Sequence, residues 1–130
     1  SSAWIALFSG RDQNHAITDR LFRLALTRKI PLHTTNLVIA EVHRLLLYRA
    51  GIRAALGVLS RIDSDSRVQV RFPSADDHRN ARVWLDRLCG QAITYTDAVS
   101  FATMAALGCS ASISFDNHFT LAGFDVWKVR

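Results

Sequence analysis

The sequence predicts an α/β fold, a central parallel sheet with helices on both faces, and three observations lead there. Apolar stretches of strand length alternate with stretches of helical periodicity along the chain. Val68-Gln69-Val70-Arg71-Phe72 alternates apolar and polar residues, the period of a half-buried strand. Ile93 to Phe119, ITYTDAVSFATMAALGCSASISFDNHF, reads as helix, turn and strand with an acid at each end of the unit. At 130 residues the chain suits one domain, residues 1–130, with a single core that needs no staples.

Taken in order, Ser1-Ser2-Ala3-Trp4-Ile5-Ala6-Leu7-Phe8 is apolar from its third residue. It reads as the end of a strand running into a helix, the strand itself lying ahead of Ser1. Ser9 to Asn14 is a loop by composition. His15 to Thr27 places Ile17, Leu21, Leu24 and Ala25 at helical spacing, with Arg20, Arg23 and Arg28 outside, and Pro31 ends it. Leu32-His33-Thr34 is a short strand leading to a helix over about Leu37 to Ala50. Thr34, Thr35 or Asn36 caps that helix and Gly51 closes it. Another helix covers Ile52 to Ile62, followed by the polar link Asp63-Ser64-Asp65-Ser66.

After the strand at Val68, Pro73-Ser74 opens a helix in which Ser74 and Asp77 form a capping-box pair. Ala81, Val83, Trp84 and Leu88 form its core face, and Gly90 stops it. The next helix, with Asp97 at its start and apolar residues from Ala98 to Leu107, has almost no polar face and is expected to be buried. Ser112-Ile113-Ser114-Phe115 follows as a strand with Asp116 just past its carboxyl end, the rim where ligands bind in open α/β sheets. Asp125-Val126-Trp127-Lys128-Val129 is the last strand.

Composition narrows the function classes. Hydrophobic residues at 49% and charged residues at 21% exclude a disordered chain. The formal net charge is +5, carried by 14 Arg and 2 Lys. Arginine's planar fork suits phosphate and favours a nucleic-acid partner, although solvated helix faces explain the charge equally well. Cys89 and Cys109 show no CxxC spacing and no signal peptide is visible, so a reducing cytoplasm is expected and a zinc site is not. No apolar run approaches the ~20 residues of a membrane span.

Three acids stand apart. Glu41 shares an apolar stripe with Val38 and Leu45; Asp97 starts the apolar helix; Asp116 ends a strand. Only Glu41 has a Lys or Arg within three positions, Arg44. Carboxylates gathered without cations repel one another and are tolerated mainly around a divalent metal. Oxygen donors suit Mg²⁺ or Mn²⁺, and such a centre hydrolyses phosphodiesters. Each acid also has a plain reading: Glu41 paired with Arg44 or His43, Asp97 in a capping box with Thr94, Asp116 in a turn with Asn117. Asp76, Asp77 and His78 resemble a metal cluster, but a first helical turn accounts for their acids. Spacing makes a nuclease plausible and leaves it open.

The segments SSAWIAL, TTNLVIAEV, YTDAVSFATMAALG and SISFDNHFTLAGF resemble the PIN-domain family, specifically the VapC-type toxins of bacterial toxin–antitoxin pairs. The resemblance covers essentially the whole chain. It implies a three-layer sandwich and a Mg²⁺- or Mn²⁺-dependent endoribonuclease, usually a homodimer, silenced by a cognate antitoxin protein. By position it makes Glu41, Asp97 and Asp116 the catalytic and metal-holding acids, and Ser2 a residue that helps hold the metal. Ser112, Ser114 and Asn117 fall near the same rim. Trp4, Trp84 and Trp127 are read as core residues, with stacking on bases as the alternative.

The family's first strand ends in an aspartate, in a pattern like D-x-S-x-W, and that aspartate would immediately precede Ser1. Truncation at the N-terminus is the expected explanation, and Asp12, in a loop, is a poor substitute. The alternative is a catalytically inactive PIN-fold module that binds RNA or protein. A small-molecule phosphatase is disfavoured by the lack of a DxDxT strand or a phosphate-cradling glycine loop.

Overall fold

Helices and short strands alternate in the computed structural model, which describes residues 2–8, 12–115 and 117–127. The order is α1 (Ser2–Phe8), α2 (His15–Thr27), β1 (Leu32–Thr35), α3 (Asn36–Ala50), α4 (Ile52–Ser64) and β2 (Val68–Arg71), then α5 (Ala75–Arg87), α6 (Tyr95–Leu107), β3 (Ala111–Ser112), α7 (His118–Leu121) and β4 (Asp125–Val126).

Local chemistry sets the helix ends. Thr35 caps α3 by accepting the Val38 N–H on its hydroxyl. Gly51, at φ 94°, ends α3 and starts α4, a conformation that residues with a Cβ rarely adopt. Ser74 and Asp77 close a full capping box at α5. Thr94 accepts the Asp97 N–H at α6, and Gly108, left-handed at φ 70°, ends that helix.

The strands form two parallel pairs. β1 lies beside β2 with Leu32 opposite Val68 and Thr35 opposite Arg71. β3 lies beside β4 with Ala111 opposite Asp125. A single continuous parallel sheet was the expectation; among the described residues the two pairs are not hydrogen-bonded to each other. A cavity of about 330 Å³ separates them, lined by Trp4, His33, Thr35, Ala111, Ile113 and Trp127 among others. Leu32 donates its N–H to the Arg67 carbonyl of the β2 side, so the next residue, His33, directs its backbone groups toward the cavity.

One core cluster is built by α1, α2, α3 and α4 from Trp4, Ile5, Phe22, Val42, Leu46, Ala55, Val58 and Ile62. A second joins α5 to α6 through Ala81, Ala98 and Val99, with Leu37 of α3, Trp84, Leu85 and Ile93 packed against it. Phe101, fully buried, collects an aromatic set: Phe119 at 4.9 Å edge-on, Trp84 at 5.5 Å and Phe124 at 5.8 Å between centroids.

Several expectations are corrected. The first residues read as the end of a strand running into a helix; the helix is present as α1, and it already includes Ser2. Helix α4 runs on through Asp63 and Ser64, which the polar composition assigned to a link. Helix α5 stops at Arg87, ahead of Gly90, and its core face is Ala81, Trp84 and Leu85. Val83 is 54% exposed, because it lies off the Ala81–Trp84–Leu85 stripe. Helix α6 is buried only in its first half: Ala98, Val99, Phe101 and Ala102 are covered, while Ala105, Ala106 and Leu107 are exposed. Its C-terminal end extends beyond the elements that pack on it. Strand β3 pairs over Ala111 and Ser112 alone, and of the last strand Lys128 and Val129 lie outside the described residues.

Candidate metal centre

Two helices of this chain begin with the same local chemistry and treat their acids differently. In α5 the Ser74 hydroxyl accepts the Asp77 N–H, and the Asp77 carboxylate accepts the Ser74 N–H at 2.8 Å. In α6 the Thr94 hydroxyl likewise accepts the Asp97 N–H, at 3.1 Å. The Asp97 carboxylate does not close the box. Its Oδ2 accepts instead from Nδ1 of His118, at 3.2 Å. The Asp97 side chain is 19% exposed, and among the described residues it forms no ion pair with Lys or Arg.

His118 is the first residue of α7, and its neighbour Phe119 docks that turn onto Phe101 of α6. Asp97 therefore points at the β3–α7 connection, where Asp116 falls. Asp116 itself lies outside the described residues, as does the side chain of Ser2, whose backbone starts α1.

Glu41 is half-buried on α3, one turn after Leu37. Leu37 packs on the cluster holding Ala98 and Val99, so the start of α3 meets the start of α6. The ion pair with Arg44 or His43 is not formed among the described residues: the Arg44 guanidinium lies over the Tyr48 ring, 5.9 Å from its centroid. Between Glu41 and Asp97 the structure supplies neighbouring helices and no direct bond.

The other candidates are tied up locally. Asp76 pairs with Arg79, Asp77 caps α5, and His78 shares a hydrogen bond with the Tyr95 hydroxyl at 2.9 Å. Asp12 accepts the Asn14 N–H at 2.8 Å, a turn role. Trp4 is buried and donates its indole N–H to Thr34 at 3.3 Å, which makes it a core residue. Trp84 is half-buried in the aromatic set around Phe101, and Trp127 half-buried against the cavity.

Sequence reasoning missed Asn36 and His118 as site residues, while Ser112 is among those it places near the rim. Among the described residues, Asn36 Oδ1 is buried without a hydrogen-bond partner, and so is Ser112 Oγ near the rim. An uncapped Asn directly after the capping Thr35 was the available signal for the first. His118 has no role in the spacing argument, and its position two residues after Asp116 is the available signal.

Among the described residues no group of three or more His, Cys, Asp or Glu side chains is assembled for a metal. The donor chemistry nonetheless fits a hard divalent cation. Among the described residues, Asp97 is a largely covered carboxylate without a paired Lys or Arg, and a buried amide oxygen, Asn36 Oδ1, lacks a donor.

The PIN domain model matches residues 1–125. This chain belongs to the PIN-domain family. The family is one of generally metal-dependent nucleases. Among curated relatives, the 23S rRNA-specific endonuclease VapC20 of Mycobacterium tuberculosis, in strains CDC 1551 / Oshkosh and H37Rv, is 33% identical over 124 residues. That alignment covers 95% of this chain and 92% of the relative. The crystal structure of M. tuberculosis VapC20, described as a sarcin-ricin loop cleaving toxin, superposes with a TM-score of 0.86 at 32% identity. It covers 98% of this chain and 95% of that one. The fold is thus a PIN fold, mixed α/β with parallel strands.

Proposed function

We propose that this PIN domain is a metal-dependent endoribonuclease toxin of the VapC type, neutralised by a cognate antitoxin protein. The single observation that carries the reading is the 33% identity, sustained over 95% of the chain, to an rRNA-specific endonuclease. Residues 1–130 form one domain in this reading, with the two parallel strand pairs as parts of one central sheet between helical layers. The active form is a homodimer working in the cytoplasm, where both RNA and antitoxin are found.

Glu41, Asp97 and Asp116 are the acids that would hold the ion, with Ser2 helping to hold it. A bound Mg²⁺ or Mn²⁺ supplies charge stabilisation at the phosphodiester and activation of water. The chain's own residues do the rest. Asp97 and Glu41 lie on helices, and Leu37 of α3 packs on the cluster that holds Ala98 and Val99 of α6, so both carboxylates are carried by helical elements rather than by loops. Arg44, Arg49, Arg53 and Arg61 are exposed on α3 and α4, where guanidinium groups grip backbone phosphates.

The substrate class this supports first is ribosomal RNA, by likeness to the VapC20 relatives. The test is cleavage mapping by primer extension on total RNA, with Mg²⁺ or Mn²⁺, comparing the wild-type chain and Asp97→Asn. The expected outcome is discrete cuts in 23S rRNA that need the cation and fall by more than about 100-fold in the variant. RNA left intact under both metals, or cut equally by Asp97→Asn, overturns the reading.

A further inference from the structure

We propose, resting on the metal-centre reading above, that His118 is a positioning residue for Asp97: its ring holds one carboxylate oxygen so that the other is presented to the divalent cation. The comparison within the chain carries this. Asp77 and Asp97 occupy the same position three residues after a capping hydroxyl, and only Asp77 folds back to its cap. A free Asp97 has that same option open to it, since Thr94 already accepts its N–H. Something outside α6 draws the carboxylate away, and the structure names it: His118 Nδ1, at 3.2 Å from Oδ2.

A carboxylate only accepts hydrogen bonds, so the ring nitrogen facing it carries the proton whether the ring is neutral or charged. Among the described residues Oδ1 of Asp97 carries no hydrogen bond, which leaves it as the donor atom for a cation. The ring is itself held. Phe119 packs edge-on against the fully buried Phe101 at 4.9 Å, and Phe124 stacks on the same ring at 5.8 Å, so α7 is pinned to α6 on either side of its short turn. The His118 side chain is 27% exposed, covered enough to stay in place. Carboxylates that bind metals are generally oriented by such an outer hydrogen bond, and losing it costs about 10- to 100-fold in metal affinity.

The experiment is Mn²⁺ binding to the full chain, followed by electron paramagnetic resonance of the free ion, for wild type, His118→Ala, His118→Asn, His118→Gln and Asp97→Asn. Thermal melting of each metal-free variant runs in parallel. Asparagine places an amide N–H near the Nδ1 position, whereas glutamine carries it out to the Nε2 position. The expected result is a Kd for Mn²⁺ raised about 10- to 100-fold in His118→Ala and His118→Gln. His118→Asn should recover most of that loss, and the melting temperatures should not follow the same order. A Kd within twofold of wild type in both His118→Ala and His118→Gln, while Asp97→Asn binds weakly, overturns the role of His118 and leaves the metal centre standing. Wild-type affinity in Asp97→Asn overturns both together. If His118→Ala fails to fold, the contrast between His118→Gln and His118→Asn decides: equal affinities overturn the proposal, and recovery in Asn alone supports it.

Discussion

At the scale of single residues, what a side chain does here depends on what lies across from it in space. Glu41 is the only glutamate in the chain, and its placement among apolar neighbours was readable from helical spacing. That Arg44 leaves it for the Tyr48 ring was not readable, since both partners are within one turn of Arg44. The same scale governs two titrations away from the site. Burial, and then the Arg71 guanidinium, hold the His33 imidazole below the usual histidine value, and Arg71 Nε donates to His33 Nδ1 at 3.3 Å. In the unfolded chain His33 takes a proton near pH ~6.5, but in the fold only at lower pH. The unfolded state therefore binds more protons just below that value, and stability falls as pH drops through the window. Urea unfolding at about pH 7.5 and about pH 5.5 should show this loss, and His33→Gln should flatten it. A variant with an unchanged slope would assign the pH response elsewhere. Asp65 acts further into acid: hydrogen bonds from Arg67 hold its carboxyl below the usual range. Its contribution persists at neutral pH and is lost only as pH falls through that lowered value.

At the scale of elements, α5, α6 and α7 are joined by one ring. Phe101 touches Trp84 of α5, Phe119 of α7 and Phe124 just beyond it. It is fully buried, so Phe101→Ala is expected to cost about 3–5 kcal/mol in denaturant unfolding. Because the same ring docks the turn carrying His118, the milder Phe101→Leu should weaken Mn²⁺ binding more than its loss of stability would suggest. Equal Mn²⁺ affinity in Phe101→Leu and wild type would separate the aromatic set from the site. The caps at this scale were legible in advance. Ser74 with Asp77, Gly51 and the Thr94–Asp97 pair are contiguous in sequence, and their hydrogen bonds close within one turn. The extent of burial was not legible. Helix α6 looks uniformly apolar, yet its exposed half is decided by how far α5 and α7 reach along it.

For the whole molecule, metal binding and stability are linked. An ion that binds the native state alone stabilises it by about 2.7 kcal/mol at a concentration 100 times its Kd. Thermal melts with Mn²⁺ should therefore shift upward in wild type and return with a chelator, while Asp97→Asn should melt at one temperature under both conditions. A shift of the same size in Asp97→Asn would place the ion somewhere other than the proposed centre. The same global view explains the split strands. Each parallel pair is secured by its own crossover, α3–α4 between β1 and β2, and α7 between β3 and β4. The space between the pairs is a cavity bounded by the backbone of His33 on one side and by Ala111 and Ile113 on the other.

The sequence alone determined the alternation of helices and strands, the caps, and the three acids that merit testing, because each of these is written in contacts a few residues long. It also carried the PIN resemblance, since segments such as YTDAVSFATMAALG keep their order and spacing without reference to the fold. Only the tertiary structure decided that the Asp97 carboxylate pairs with His118, 21 residues away, instead of closing the box on Thr94, and that Leu37 of α3 packs on the cluster holding Ala98 and Val99 of α6. Those are choices between partners of similar local appeal, and the balance is struck by packing across the chain, which no single stretch of sequence contains.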